Sequence, residues 1–251
     1  MPEDSTAPIT ILHADDDIVV IDKPPAMLTH SNSFDRHSPT VVMVLGSRLG
    51  ARVHNVHRLD RMTTGAMVLA RHAEAARELS RQFREREVEK RYLALVRGHL
   101  DDEGTIELPI AGRSTADAQD ATTDYRTLDR GRVAEPIGRY GEAWFSLVEL
   151  SLHTGRSHQA RRHLHRINHP VIGDNKHGDR EYNRWAWARL GERYLALRSV
   201  VLRFAHPANG EPMEAGMGLN DPWQRLLGEV GIEIPEAYRG ASTFARATRA
   251  E

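Results

Sequence analysis

The chain has 251 residues, 40% of them hydrophobic and 27% charged, with a formal net charge of −1. That is enough apolar material for one substantial core, while the near-zero charge gives no whole-chain signal for nucleic acid. The absence of cysteine excludes disulfides and thiolate metal sites; the polar opening and the lack of a bilayer-length apolar run predict a soluble, cytoplasmic protein.

Ile9–Leu12 and Ile18–Asp22 are β-branched runs on either side of an acidic turn, and Lys23-Pro24-Pro25 then ends ladder pairing, which predicts a hairpin. Ser38-Pro39 reads as an N-cap and first helical residue, with Val41, Val44, Leu45 and Leu49 following at helical spacing. Gly65–Ala70 reads as a buried strand, residues 72–87 as an amphipathic helix, and Val88–Val96 as a strand followed by a turn over His99–Gly104.

Ala111–Thr123 and Arg130–Gly141 read as surface loops or insertions. Trp144–Leu152 alternates as a strand, and Ala160, Leu164 and Ile167 place a helix after a Ser157 cap. His169–Asp179 is expected as a loop, Tyr194–Phe204 as a strand, Pro222–Val230 as a short helix, and the tail from Pro235 as polar and frayed at its end. Strands mixed with helices at irregular spacing predict an α+β fold around a mostly antiparallel sheet.

Chemistry-bearing residues gather in two places. Asp60, flanked by Arg58 and Arg61, sits in a polar loop with Thr63 and Thr64 just before Gly65 opens the buried strand. An ordinary ion pair explains that composition, but functional groups also favour loops held by rigid elements. The second place is a run of Arg156, Arg161, Arg162 and Arg166 with no carboxylate among them, which permits a basic face on a neutral protein or simply a solvated helix. His153, His158, His163, His165 and His169 lie on both sides of a turn and around a helix, without the spacing or acidic partners of a metal site, so no metal is expected.

The nine residues His57-Arg-Leu-Asp-Arg-Met-Thr-Thr-Gly65 resemble the signature of the RluA-type pseudouridine synthases. Lys90-Arg91-Tyr92 with Ala94–Gly98, Thr154–His163, and Tyr194–Leu197 leading to Phe204-Ala-His-Pro207 are similar to that family's further motifs, in the same order. The departures are Thr64 where the family usually has Ser, Arg198-Ser199 where its closing strand usually reads His-Ala, and Ala160 for a larger apolar residue. The likeness runs from about Ile9 to about Trp223 and implies a single catalytic domain over residues 9–231, between a short polar segment and a tail from 232, with no S4-type domain ahead of it.

The resemblance implies an enzyme that isomerises a uridine within RNA without a cofactor. It assigns Asp60 as the catalytic carboxylate, acting as nucleophile or base, with Arg161 as its charge partner and Arg156 as the alternative. An opposite charge of that kind favours the ionised carboxylate. Tyr92 is assigned to stack under the uracil and take the C5 proton, although a strand tyrosine is more often core packing; Leu197 covers the opposite face of the base. The target nucleotide must leave its stack, Arg58 filling the gap, while Arg84, Lys90, Arg91, Arg162 and Arg166 are candidates for phosphate contacts.

The loop Ile172–Asp179, continuing to Asn183-Arg184, resembles that of family members acting on tRNA, which adds Lys176 and His177 to the RNA-contacting candidates. The implied partner is tRNA, at uridine 65 of the T stem. A ribosomal-RNA synthase of the same family and an RNA-binding or chaperone module without catalysis are the alternatives.

Overall fold

The computed structural model describes residues 9–31, 35–112 and 117–247. Met1–Pro8 and the last residues from 248, for which polar ends are expected, lie outside them, as do residues 113–116 of the first expected loop.

The hairpin is present as β1 (Thr10–Ala14) and β2 (Ile18–Lys23), paired antiparallel. Helix α1 (Val41–Leu49) is capped by Thr40, not Ser38, because Thr40 is the extended residue immediately before the first helical turn and its hydroxyl accepts the Met43 N–H. The short β3 (His54–Asn55), then β4 (Thr64–Ala70), α2 (Ala73–Glu85) and β5 (Glu89–Arg97) follow, the last three within about two residues of expectation.

Four strands occupy the next stretch: β6 (Glu103–Glu107), β7 (Ile110–Ala111), β8 (Ala118–Gln119) and β9 (Thr122–Val133). The two expected loops are therefore corrected. β7 and β8 form a small hairpin within the first, and β9 continues through the beginning of the second. Gly131 permits this, since a Cβ there would lie 2.1 Å from the Val230 carbonyl oxygen.

β10 (Ala143–Leu152) is as expected, but helix α3 (Gln159–Arg166) starts after His158, which has φ 55° and makes no side-chain cap, so Ser157 is not the capping residue. Helix α4 (Arg180–Leu190) was not expected; Asp179 caps it by accepting the N–H groups of Glu181 and Tyr182. β11 (Leu197–Ala205), β12 (Pro212–Gly216), α5 (Asp221–Glu229), a 3-10 turn at Glu236–Tyr238 and β13 (Thr243–Arg246) complete the order. Within the tail, Tyr238 is buried and β13 pairs with β12, while the end expected to fray lies outside the described residues.

Two compact units divide the chain. The first takes residues 1–90, 199–217 and 241–251, and in it β2 pairs with β1 and β4, β3 with β4, and β12 with β11 and β13, all antiparallel. Ile18–Ile21 and Ala66–Ala70 have no exposed surface, so both strands read as unbroken apolar runs. The second takes residues 91–198 and 218–240; there β10 pairs antiparallel with β5 and β9, and β9 with β6. Phe145 of β10 meets Tyr182 and Trp185 of α4. Among the described residues, no helix is long and apolar enough to cross a membrane.

Candidate active-site residues and their surroundings

In the first unit, Asp60 is half-buried on a tight turn whose carbonyl accepts the Thr63 N–H at 3.1 Å. The turn is held from beneath. Lys23, at the end of β2, has no exposed surface, and its Nζ donates to the carbonyls of Pro24 at 2.9 Å and of Arg61 and Thr63 at 3.0 Å. Three carbonyls match the three N–H groups of an ammonium. Burial nevertheless brings the lysine down to about 7, with the charges of Asp60 and Asp22 opposing that fall and Arg61 assisting it.

Thr29 fixes the approach to the turn, its hydroxyl donating to the Leu59 carbonyl at 3.2 Å and accepting the Leu59 N–H at 3.4 Å. His57 accepts the Val68 N–H on Nε2 and stacks on Phe83; burial, with the charge of Lys90, brings its pKa to about 3, so the ring stays neutral. Gly65, at φ +107°, passes so close to β11 that a Cβ would lie 2.1 Å from the Ser199 oxygen. His57, Leu59 and Gly65 thus build the turn that carries Asp60. Arg61 is held by the Ala26 carbonyl and Asp35, and Arg58 is exposed. Sequence reasoning missed Lys23, whose one signal is a lysine following a buried apolar strand.

In the second unit, Arg161 of α3 is only 6% exposed, and its Nε and Nη2 donate to the two oxygens of Asp174, each at 2.7 Å. Burial pushes the Asp174 carboxyl up, but Arg161 and the backbone N–H groups of His177 and Lys176 outweigh it and hold the group below the usual carboxylate range. A buried polar cluster seats α3 itself. Gln159 donates to the Thr122 carbonyl and the Thr123 hydroxyl and accepts from Thr154. His163 donates from Nε2 to the Leu108 carbonyl, so its Nδ1 accepts from Thr123. Burial and the charges of Arg166 and Arg162 lower the pKa of this histidine, outweighing the Leu108 bond, which raises it.

The loop Ile172–Asp179 has structural work that its sequence did not reveal. Asn183 accepts the Gly173 N–H at 2.6 Å and donates to the Asp174 carbonyl at 2.8 Å, and Asp179 both caps α4 and pairs with Arg97 at 2.7 Å. Lys176 is exposed; His177 is half-buried, its Nε2 3.2 Å from His158 Nδ1. Burial lowers the pKa of His177, with Arg161 and Lys176 adding to that fall and Asp174 opposing it.

Tyr92 lies on β5 with 9% exposure and Leu197 opens β11 with 3%. The segment leading to the loop is woven between those strands: Ile172 donates to Leu95, and Ala196 to Ile172. Arg91 and Lys90 are half-buried on β5, burial and the charge of Arg86 lowering the pKa of Lys90, while Arg84 is exposed on α2. Arg156, Arg162 and Arg166 each donate to a carbonyl of the adjoining segment, at Asp120, Ala111 and Pro109 respectively.

Residues 17–166, a stretch that includes Asp60, Tyr92 and Arg161, match the RNA pseudouridylate synthase family. The tRNA pseudouridine synthase C of Salmonella typhi is 38% identical over 234 residues, which cover 89% of this chain and 90% of that protein. The protein of the same name from Haemophilus influenzae is 36% identical over 236 residues, covering 90% and 99%. Among solved structures, human RNA pseudouridylate synthase domain containing 4 is 28% identical with a TM-score of 0.70, covering 90% of this chain and 95% of that one. Human RNA pseudouridylate synthase domain containing 1 is 25% identical with a TM-score of 0.69, covering 100% and 94%.

Proposed function

Because this chain belongs to the RNA pseudouridylate synthase family, we propose that it isomerises a uridine of tRNA, uridine 65 in the T stem, with Asp60 as the catalytic carboxylate. The observation that carries the catalytic assignment is the Asp60 turn, where a buried lysine and a buried threonine fix the backbone on both sides of one half-buried carboxylate. The tRNA substrate rests on the names of the curated relatives.

Isomerisation breaks the bond between uracil N1 and ribose C1′ and forms one between C5 and C1′; the C5 proton leaves and N1 gains one. Asp60 acts ionised, on the ribose or the base. Arg161 orients that carboxylate. Tyr92 stacks under the uracil and receives the C5 proton, and Leu197 covers the opposite face. Flipping the nucleotide costs a few kcal/mol, which Arg58 in the vacated stack and phosphate contacts from Lys90, Arg91, Arg156, Arg162, Lys176 and His177 offset.

The test is tritium release from tRNA labelled at uridine C5. Wild-type protein is expected to release tritium, Asp60→Ala and Asp60→Asn to release none while still binding tRNA, and a transcript with cytidine at position 65 to give no product. Release by Asp60→Ala sinks the carboxylate assignment. Undiminished release from the cytidine transcript, or preference for a ribosomal fragment, sinks the substrate.

A further inference from the structure

We propose that His13, Asp15, Asp17 and His206 form a binding site for a divalent transition-metal ion, zinc being the one their chemistry fits best, which ties the first hairpin to the end of β11. The site lies wholly within the first unit and stands apart from the roles given to Asp60 and Arg161.

Segments far apart in the chain meet here. His13 comes from β1, Asp15 and Asp17 from the turn into β2, and His206 from the position after β11. A carboxylate oxygen from each of Asp15 and Asp17 and a ring nitrogen of His206 lie within 4.8 Å of one another. His13 completes a set of four, since Asp15 Oδ2 is 2.7 Å from its Nε2 and 3.0 Å from that of His206. β1 shifts register between Ile11 and His13, the kind of bulge that redirects a side chain. His206 is largely buried, its side chain 11% exposed, while the other three are open enough for an ion to enter.

Carboxylates only accept, so both imidazoles point a protonated Nε2 at the same oxygen. A metal ion takes the place of those two protons. Tetrahedral zinc, with ligands at about 2.0–2.2 Å, sets its donors about 3.3 Å apart, so the two contacts to Asp15 open slightly and Asp17 moves inward. His206 then keeps one proton, on Nδ1, at the cost of the weak bond of 3.4 Å which that atom accepts from the Ala208 N–H.

Both carboxylates are oriented from behind, as metal ligands usually are. Asp15 Oδ1 accepts the N–H groups of Asp17 and Ile18, each at 2.8 Å, which leaves Oδ2 to the imidazoles; His72 Nε2 donates to Asp17 Oδ1 at 2.9 Å. Among the described residues, neither carboxylate pairs with lysine or arginine, and Arg71 reaches only the Asp15 carbonyl. A divalent ion matches the two charges. Imidazole with carboxylate suits zinc, whereas magnesium and calcium prefer oxygen alone. His13 also stacks on Phe244 of β13 at 4.5 Å, so the ion fastens the hairpin where it meets strands made much later.

The experiment titrates zinc chloride into the full chain after chelator treatment, by calorimetry, and follows the thermal midpoint alongside. A site with a Kd of about 1 μM or tighter is expected, and zinc at a hundredfold excess over that Kd should raise the midpoint by about 5 °C or more. Magnesium and calcium should do neither. His206→Ala and Asp15→Asn, the latter keeping an acceptor for the turn N–H groups, should remove the site. His72→Ala, which leaves every ligand in place, should weaken it about 10–100-fold.

Wild-type binding weaker than about 100 μM overturns the inference, as does zinc affinity unchanged in His206→Ala and Asp15→Asn. So does loss of binding in His177→Ala instead, since His158 and His177 form another close histidine pair. If His206→Ala does not fold, Asp17→Asn decides: a tenfold or greater loss of zinc affinity supports the site, and wild-type affinity overturns it.

Discussion

Burying an ammonium group is strongly unfavourable unless each N–H finds an acceptor, and Lys23 meets that condition with three backbone carbonyls, two of them within the Asp60 turn. Replacing it by methionine fills the space but leaves those carbonyls without their donor, at about 1–3 kcal/mol for each buried unsatisfied group. Lys23→Met is therefore expected to lower stability by about 3 kcal/mol or more, seen as a shifted urea midpoint, and to slow tritium release even in the folded fraction. A variant with wild-type midpoint and turnover would show that the turn holds itself. The legible part of this region was Asp60, marked by its nine-residue signature. Lys23 was illegible because its partners are main-chain atoms, which carry no residue identity.

At the scale of elements, the loop ahead of α4 depends on Gly173, whose φ of +82° is left-handed and whose added Cβ would lie 1.8 Å from the Tyr194 carbonyl oxygen. Gly173→Ala is expected to cost about 2 kcal/mol or more through strain and displacement, and to slow the reaction because the partner of Arg161, Asp174, follows directly. Thermal denaturation and single-turnover rates check both; an unchanged midpoint argues against the close approach. Strands β2, β4, β5 and β10 and helix α2 were legible because apolar runs or amphipathic spacing mark their buried residues. Helix α4 is not marked in the sequence although Tyr182, Trp185, Ala186 and Leu190 are buried, since Arg180, Arg184 and Arg189 on either side of the tryptophans dilute the apolar face. β9 carries no strand expectation, its two ends reading as loops; Gly131 and the arginines around it give that impression, when the glycine only admits the Val230 carbonyl.

For the whole molecule, acid stability follows from its hydrogen-bonded carboxylates. In the first unit, Asp15 Oδ1 accepts the N–H groups of Asp17 and Ile18, and Oδ2 meets His13 and His206. Burial raises its pKa, but these bonds outweigh it and hold Asp15 below the ordinary range, as other contacts do for Asp174 and Asp179. Depressed carboxylates stabilise the fold above their unfolded pKa of about 4 and lose that contribution as pH falls through the folded values. His72 has the opposite sign: its bonds to Asp17 and Glu74 raise its pKa, so its contribution is present below about 6.5 and is lost as pH rises through the raised value. Urea unfolding across pH should show stability falling below about pH 4, with a shallower fall in Asp15→Asn; an equal slope in that variant rules out Asp15 as a contributor. The division of the chain has a further consequence, for synthesis. Domains emerging from a ribosome usually fold N-terminal first, but here β1 to β4 belong to a unit that also needs β11, β12 and the late β13. The second unit has all its segments by residue 240. The part translated first is thus the part completed last, and through most of translation its apolar strands await partners that the ribosome has yet to make.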